Sequence, residues 1–110
     1  MIVEKKKTYT LISSDESSLK EFQKSILNKI ELFKKDHLVF DISDEINGST
    51  EDFLLFLKIA EQKQQNGMSF VIINSSVNVD DFPENLNIVP TLQEAEDILE
   101  MEAIERSLGF

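Results

Sequence analysis

The chain has 110 residues, a formal net charge of −10, no cysteine, no tryptophan and a single histidine, His37. Disulfides, thiolate metal sites, iron–sulfur clusters, cysteine nucleophiles and multi-histidine metal centres are thereby excluded. The excess of 21 carboxylates over 11 Lys and Arg argues against binding a phosphate backbone. A hydrophobic fraction of 41% suffices for one folded core.

The opening MIVEKKKTYT has three lysines but no apolar stretch behind them, so no signal peptide is expected. No apolar run reaches the ~18 residues that span a bilayer. A soluble, cytoplasmic protein is the expectation. The charge is uneven along the chain. Residues 1–40 set eight lysines against six carboxylates, a balance of +2, whereas residues 41–110 carry −12.

Thr8–Ser13 is rich in β-branched and aromatic residues and reads as a strand, with Ile2–Glu4 as its candidate partner. Ser18 with Glu21 three residues on is a capping box. Behind it Leu19, Phe22, Ile26, Ile30 and Phe33 recur at the spacing of an amphipathic helix of about four turns. His37–Ser43 reads as a buried strand. Asn47–Gly48 breaks the chain, and Ser49 and Thr50 offer N-cap side chains. Phe53, Leu54, Leu57 and Ala60 then face inward on one long, largely apolar helix that ends at Asn66–Gly67.

Phe70–Ile73 is the next buried strand. A polar stretch, Asn74–Asn85, allows a short helix near Asp80, and Leu86–Val89 is a last strand closed by Pro90. Thr91 with Glu94 is another capping box, opening a helix on Leu92, Ala95, Ile98 and Leu99 that runs to Leu108. Strands alternating with helices imply an α/β domain: a mixed, mostly parallel sheet of four or five strands under three or four helices. One domain fills residues 1–110, with a core over about 8–99 and a helical extension over 100–110.

Sites for chemistry are scarce. There is no Walker A loop, GxGxxG, GxSxG or HExxH motif. His37, at a strand boundary, reads as structural or exposed rather than catalytic. Asp41 and Asp44 lie at the C-terminal end of a strand, where α/β folds gather ligands. With Glu45, Glu51 and Asp52 nearby they are a conceivable Mg²⁺ site, but a capping and loop-bonding role suits them better. No catalytic residue, metal or cofactor is expected. Ser49 and Thr50 are candidates for phosphorylation at a helix start, beside Asp41, Asp44, Glu45, Glu51 and Asp52. Lys5–Lys7 reads as a solvated strand edge that discourages edge pairing.

The segment HLVFDISDEINGSTEDFLLFL, His37–Leu57, resembles the STAS family of bacterial anti-sigma-factor antagonists and sulfate-transporter cytoplasmic domains. That family has an apolar strand ending in Asp-Leu-Ser, a variable turn, then Asp-Ser-Ser-Gly-Leu opening a leucine-rich helix. Asp41-Ile42-Ser43 matches the strand end, and Ser49-Thr50-Glu51-Asp52-Phe53 falls on the second motif. The SFVII strand and the TLQEA helix start continue the likeness over roughly Thr8–Leu99. The resemblance implies a regulatory interaction module docking an anti-sigma kinase-like protein; a monomer or weak dimer is the separate expectation. Asp41, Asp44, Asn47, Ser49, Thr50 and Glu51 would form its partner-binding and switch surface. The chain departs from the motif at one point: Glu51 stands where the family has its phosphorylatable serine, so the inherited switch is mimicked or lost.

The tail MEAIERSLGF resembles the ends of short Bacteroidetes-type proteins sometimes labelled ribonuclease Z. That enzyme needs an HxHxDH metal motif, and one histidine cannot supply it. The likeness therefore implies an accessory partner of such an enzyme. A different class of function, a small-ligand or nucleotide site around Asp41, Asn74 and Ser75, is the alternative.

Overall fold

A computed structural model describes residues 1–46 and 48–109. Five strands form one sheet: β1 (Ile2–Lys5), β2 (Thr10–Ser13), β3 (Leu38–Asp41), β4 (Phe70–Ile73) and β5 (Asn87–Val89), in the order β1-β2-β3-β4-β5. β1 runs antiparallel to β2, and every other neighbour pair is parallel. The register sets Ser13 beside Asp41 and Asp41 beside Ile73, so the strand ends of β2, β3 and β4 align.

The helices are α1 (Leu19–Lys29), α2 (Thr50–Leu54), α3 (Leu57–Gln65) and α4 (Leu92–Ser107). Short 3-10 turns cover Ile30–Phe33 and Val79–Asp81. This is the mixed, mostly parallel α/β architecture that the alternating pattern implies.

Alternate residues of the strands feed two separate cores, because successive side chains point to opposite faces of a sheet. Ile12, Leu38, Phe40, Phe70, Ile72 and Ile88 pack under α1, α2 and α3. Leu11, Val39, Val71 and Ile73 pack against Ala95, Ile98 and Leu99 of α4 on the other face. The rings of Phe22, Phe40 and Phe56 meet edge to face, with centroids 5.5 to 6.1 Å apart. Such pairs add about 1 kcal/mol each beyond the area they bury.

These aromatics explain the main correction to the sequence reading. The long helix from Thr50 to Gln65 is in fact two, parted at Leu55–Phe56 although no glycine or proline lies there. Phe56 N–H bonds the Phe53 carbonyl at 3.0 Å, a tightened turn. Through it Phe53 reaches Phe82 while Phe56 reaches Phe22 and Phe40. Leu55 is left outside, 57% exposed. Leu92, expected on the inner face of α4, is likewise exposed.

Ser18 and Thr91 accept the N–H of Glu21 and Glu94 as expected, each at 3.2 Å. Neither glutamate closes the expected box, and the Glu21 carboxylate takes the Ser17 hydroxyl at 2.8 Å. At the end of α3 Gly67 adopts φ +70°, a conformation costly to any residue with a Cβ. Its N–H and that of Met68 bond the carbonyls of Gln64 and Lys63, satisfying the last turn.

Candidate functional site

The residues expected to form a docking surface lie where β3 ends and α2 begins. Asp41 closes β3 with its side chain on the solvent side. Its carboxyl is pushed above the ordinary range by partial burial and, second, by the charge of Asp44. Asp44 is exposed but fully engaged. Its carboxylate accepts the Ser75 N–H at 2.8 Å and the Ser75 hydroxyl, and these bonds hold it below the usual carboxylate range.

Further bonds fix the loop between. Ser43 N–H donates to the Ser14 hydroxyl at 3.0 Å, and Glu45 N–H to the Ser43 hydroxyl at 3.2 Å. Ile46 tucks partly into the core. Asn47 lies outside the described residues. Gly48 passes so close to α1 that a Cβ there would sit 2.8 Å from the Leu19 Cβ. Only glycine lets the loop lie against the start of that helix.

Ser49 is the N-cap of α2, as expected from its place after Gly48. Its hydroxyl accepts the Asp52 N–H at 3.4 Å, while the Asp52 carboxylate accepts the Ser49 N–H at 3.0 Å. The same carboxylate also takes the Ser49 hydroxyl proton at 3.2 Å. This is a reciprocal capping box, and the sequence reading passed over it. Its signal was present as Ser-x-x-Asp, the pattern recognised at Ser18 and Thr91. Asp52 is therefore a structural partner of Ser49 rather than only an acid near a helix end. Thr50 and Glu51 are exposed on the first turn, with no side-chain bond among the described residues.

The structure thus brings Asp44, Ser49, Thr50 and Glu51 onto one solvent-facing segment. The Asn74 and Ser75 groups considered for a ligand are spent inside the protein. Asn74 is buried, donates to the Ile42 carbonyl at 3.2 Å and accepts from Ser76 N–H and hydroxyl. Ser75 serves Asp44.

His37 stands at the opposite end of β3, about 13 Å of extended chain from Asp41. Its Nδ1 accepts the Ser69 N–H at 2.9 Å, so a neutral ring carries its proton on Nε2. Burial, then the charges of Arg106 and Lys63, keep the imidazole below its ordinary pKa. Lys63 is a second feature the sequence reading missed. It is 5% exposed, and its ammonium donates to the carbonyl oxygens of Phe33 and Asp36. Its position three residues after Ala60, on the buried side of α3, was the available sign.

Among the described residues no group of three or more His, Asp or Glu side chains is placed to hold a metal ion, and no helix is long and apolar enough to cross a membrane. No protein-family model matches the chain, and no curated protein matches it.

Proposed function

We propose that this chain is a non-catalytic interaction module that docks a regulatory protein through the Asp44–Asp52 segment and the first turn of α2. In this reading it acts in the cytoplasm as a monomer or weak dimer, in the manner of the anti-sigma-factor antagonists its sequence resembles. Its partner is then an anti-sigma kinase-like protein; an accessory role beside a ribonuclease Z, which the resemblance of its tail implies, is the alternative. One observation carries the proposal. Asp44, Glu45, Ser49, Thr50 and Glu51 are exposed, yet the bonds of Ser43 N–H to Ser14 and of Asp44 to Ser75, the close approach of Gly48 to Leu19 and the Ser49–Asp52 capping box anchor the described residues around them. Preorganisation of that kind reduces the ordering cost of association. Thr50 and Glu51 are exposed side chains that can meet a partner, and Glu51 places a carboxylate there.

The test is capture from an extract of the native cell with the intact chain and with a Thr50→Ala/Glu51→Ala variant, which keeps the Ser49 cap. Loss of the captured protein by the variant is expected. An unchanged set of partners removes this surface from consideration. Thermal stabilisation by ATP with Mg²⁺ would instead favour the ligand reading.

A further inference from the structure

The apolar side chains of α4 change sides halfway along it. In its first half Ala95, Ile98 and Leu99 face the sheet. In its second half the sheet side is polar: Arg106 is half-buried and donates to the Ser69 hydroxyl at 3.2 Å. Met101, Ile104 and Leu108 take the outer side, exposed by 54, 54 and 66%. Their spacing of three and four residues aligns them in one stripe, about two turns long. Scattered exposed apolar residues are ordinary, whereas an aligned row is the signature of a helix-docking face.

Charge decides what covers it. α4 carries Glu94, Glu96, Asp97, Glu100, Glu102 and Glu105 against the lone Arg106. On a helix Asp97, Glu100 and Glu105 border the stripe. A second copy packed there would set these three carboxylates against the same three, at a cost in like-charge repulsion. A cationic segment gains from the same row. Both ends of the helix are hydrogen-bonded: Tyr9 hydroxyl donates to Glu96 at 2.8 Å, and Leu108 and Gly109 N–H groups bond its last carbonyls.

We infer that the outer face of the second half of α4 binds a lysine- or arginine-rich amphipathic helix of a partner protein, with Met101, Ile104 and Leu108 as its apolar anchors. This surface lies across the sheet from the α1–α3 layer, so it is separate from the Asp44–Asp52 segment.

The probe is a synthetic amphipathic peptide of leucines at helical spacing with lysines elsewhere. A second peptide carries glutamate in place of every lysine. Backbone amide shifts record where each binds, and titration gives the affinity. The lysine peptide is expected to shift residues 97–108, and the glutamate peptide to shift none. Met101→Ser/Ile104→Ser is expected to weaken binding by about tenfold or more while leaving the melting curve unchanged, since both side chains are exposed. Raising ionic strength to about 0.5 M weakens it further. The inference is overturned by absence of binding, by equal affinity in the serine variant, or by shifts centred on 44–52. It is also overturned if the chain alone self-associates and the serine variant abolishes that association, which would make the occupant a second copy. Thr50→Ala/Glu51→Ala leaves peptide binding intact, so failure here and failure of the docking segment are read separately.

Discussion

The two ends of the sheet solve opposite problems. At the end where β3 and β4 begin, polar side chains are spent on the protein's own backbone and side-chain groups. Lys63 serves the carbonyls of Phe33 and Asp36, His37 serves the Ser69 N–H, and Asp36 takes the Thr10 hydroxyl at 2.8 Å and Lys5 at 3.2 Å. At the end where the strands finish, carboxylates face water: Asp41, Asp44, Glu45 and Glu51 are all exposed. The first end also gathers Lys5, Lys6, Lys7 and Lys35 around one concavity. The fold does not sort charge as the sequence does, because Glu102 and Glu105 of α4 share a cavity with Gly67 and Met68 beside the start of β4. Groups at the first end hold the domain together, and those at the second lie on the segment proposed above as a docking surface.

Removing Lys63 is the strongest way to break that contrast. Lys63→Met preserves the aliphatic packing but strands two carbonyls that now share a charged donor, so a loss of about 3 kcal/mol in urea unfolding is expected. A loss below about 1 kcal/mol would mean that water replaces the ammonium and that this end is not a clamp.

Gly48→Ala carries the same question to the other end. The new methyl meets Leu19 at the start of α1, and overpacking of this kind costs about 1.5 kcal/mol. A melt unchanged by Gly48→Ala would show that the loop yields, against the rigid shape proposed for it.

The smallest expected effects are in pH dependence, and they have opposite signs. His37 has a folded pKa below 6.5, so the folded protein binds fewer protons than the unfolded chain, and stability falls as pH drops below about 6.5. Asp41 has a folded pKa above 3.8, so its burden is full at neutral pH and is relieved as pH falls toward 3.8. Thermal melts across pH should show His37→Gln losing part of the acid-side decline. Asp41→Asn should gain slightly at pH 7 and match the parent in acid. A gain for Asp41→Asn that persists in acid would assign it to something other than charge.

Much of the framework was legible in residue pattern. The FVII and LVF runs, the caps at Ser18, Ser49 and Thr91, and the Asn66–Gly67 stop all sit where their local chemistry places them. Local rules suffice there, because a cap or a β-branched run acts within a few residues. The break at Leu55–Phe56 was not legible. It answers to Phe22, Phe40 and Phe82, which come from other elements. Of the candidate site, the position of Ser49 at a helix start was readable, while the Asp44–Ser75 clasp joins residues 31 apart. No pattern along the chain announces such a bond.

Composition alone set firm limits: no cysteine chemistry, one histidine, a net charge of −10 and an alternation that only a layered α/β domain satisfies. Tertiary structure decided where the polar groups are spent. It buried Lys63 and Asn74, left Thr50 and Glu51 in water, and turned Met101, Ile104 and Leu108 outward on a helix whose first half faces in. The physical reason is that burial depends on what lies opposite a side chain. That neighbour belongs to another element, fixed only when the sheet aligns its strands and the helices settle on its two faces.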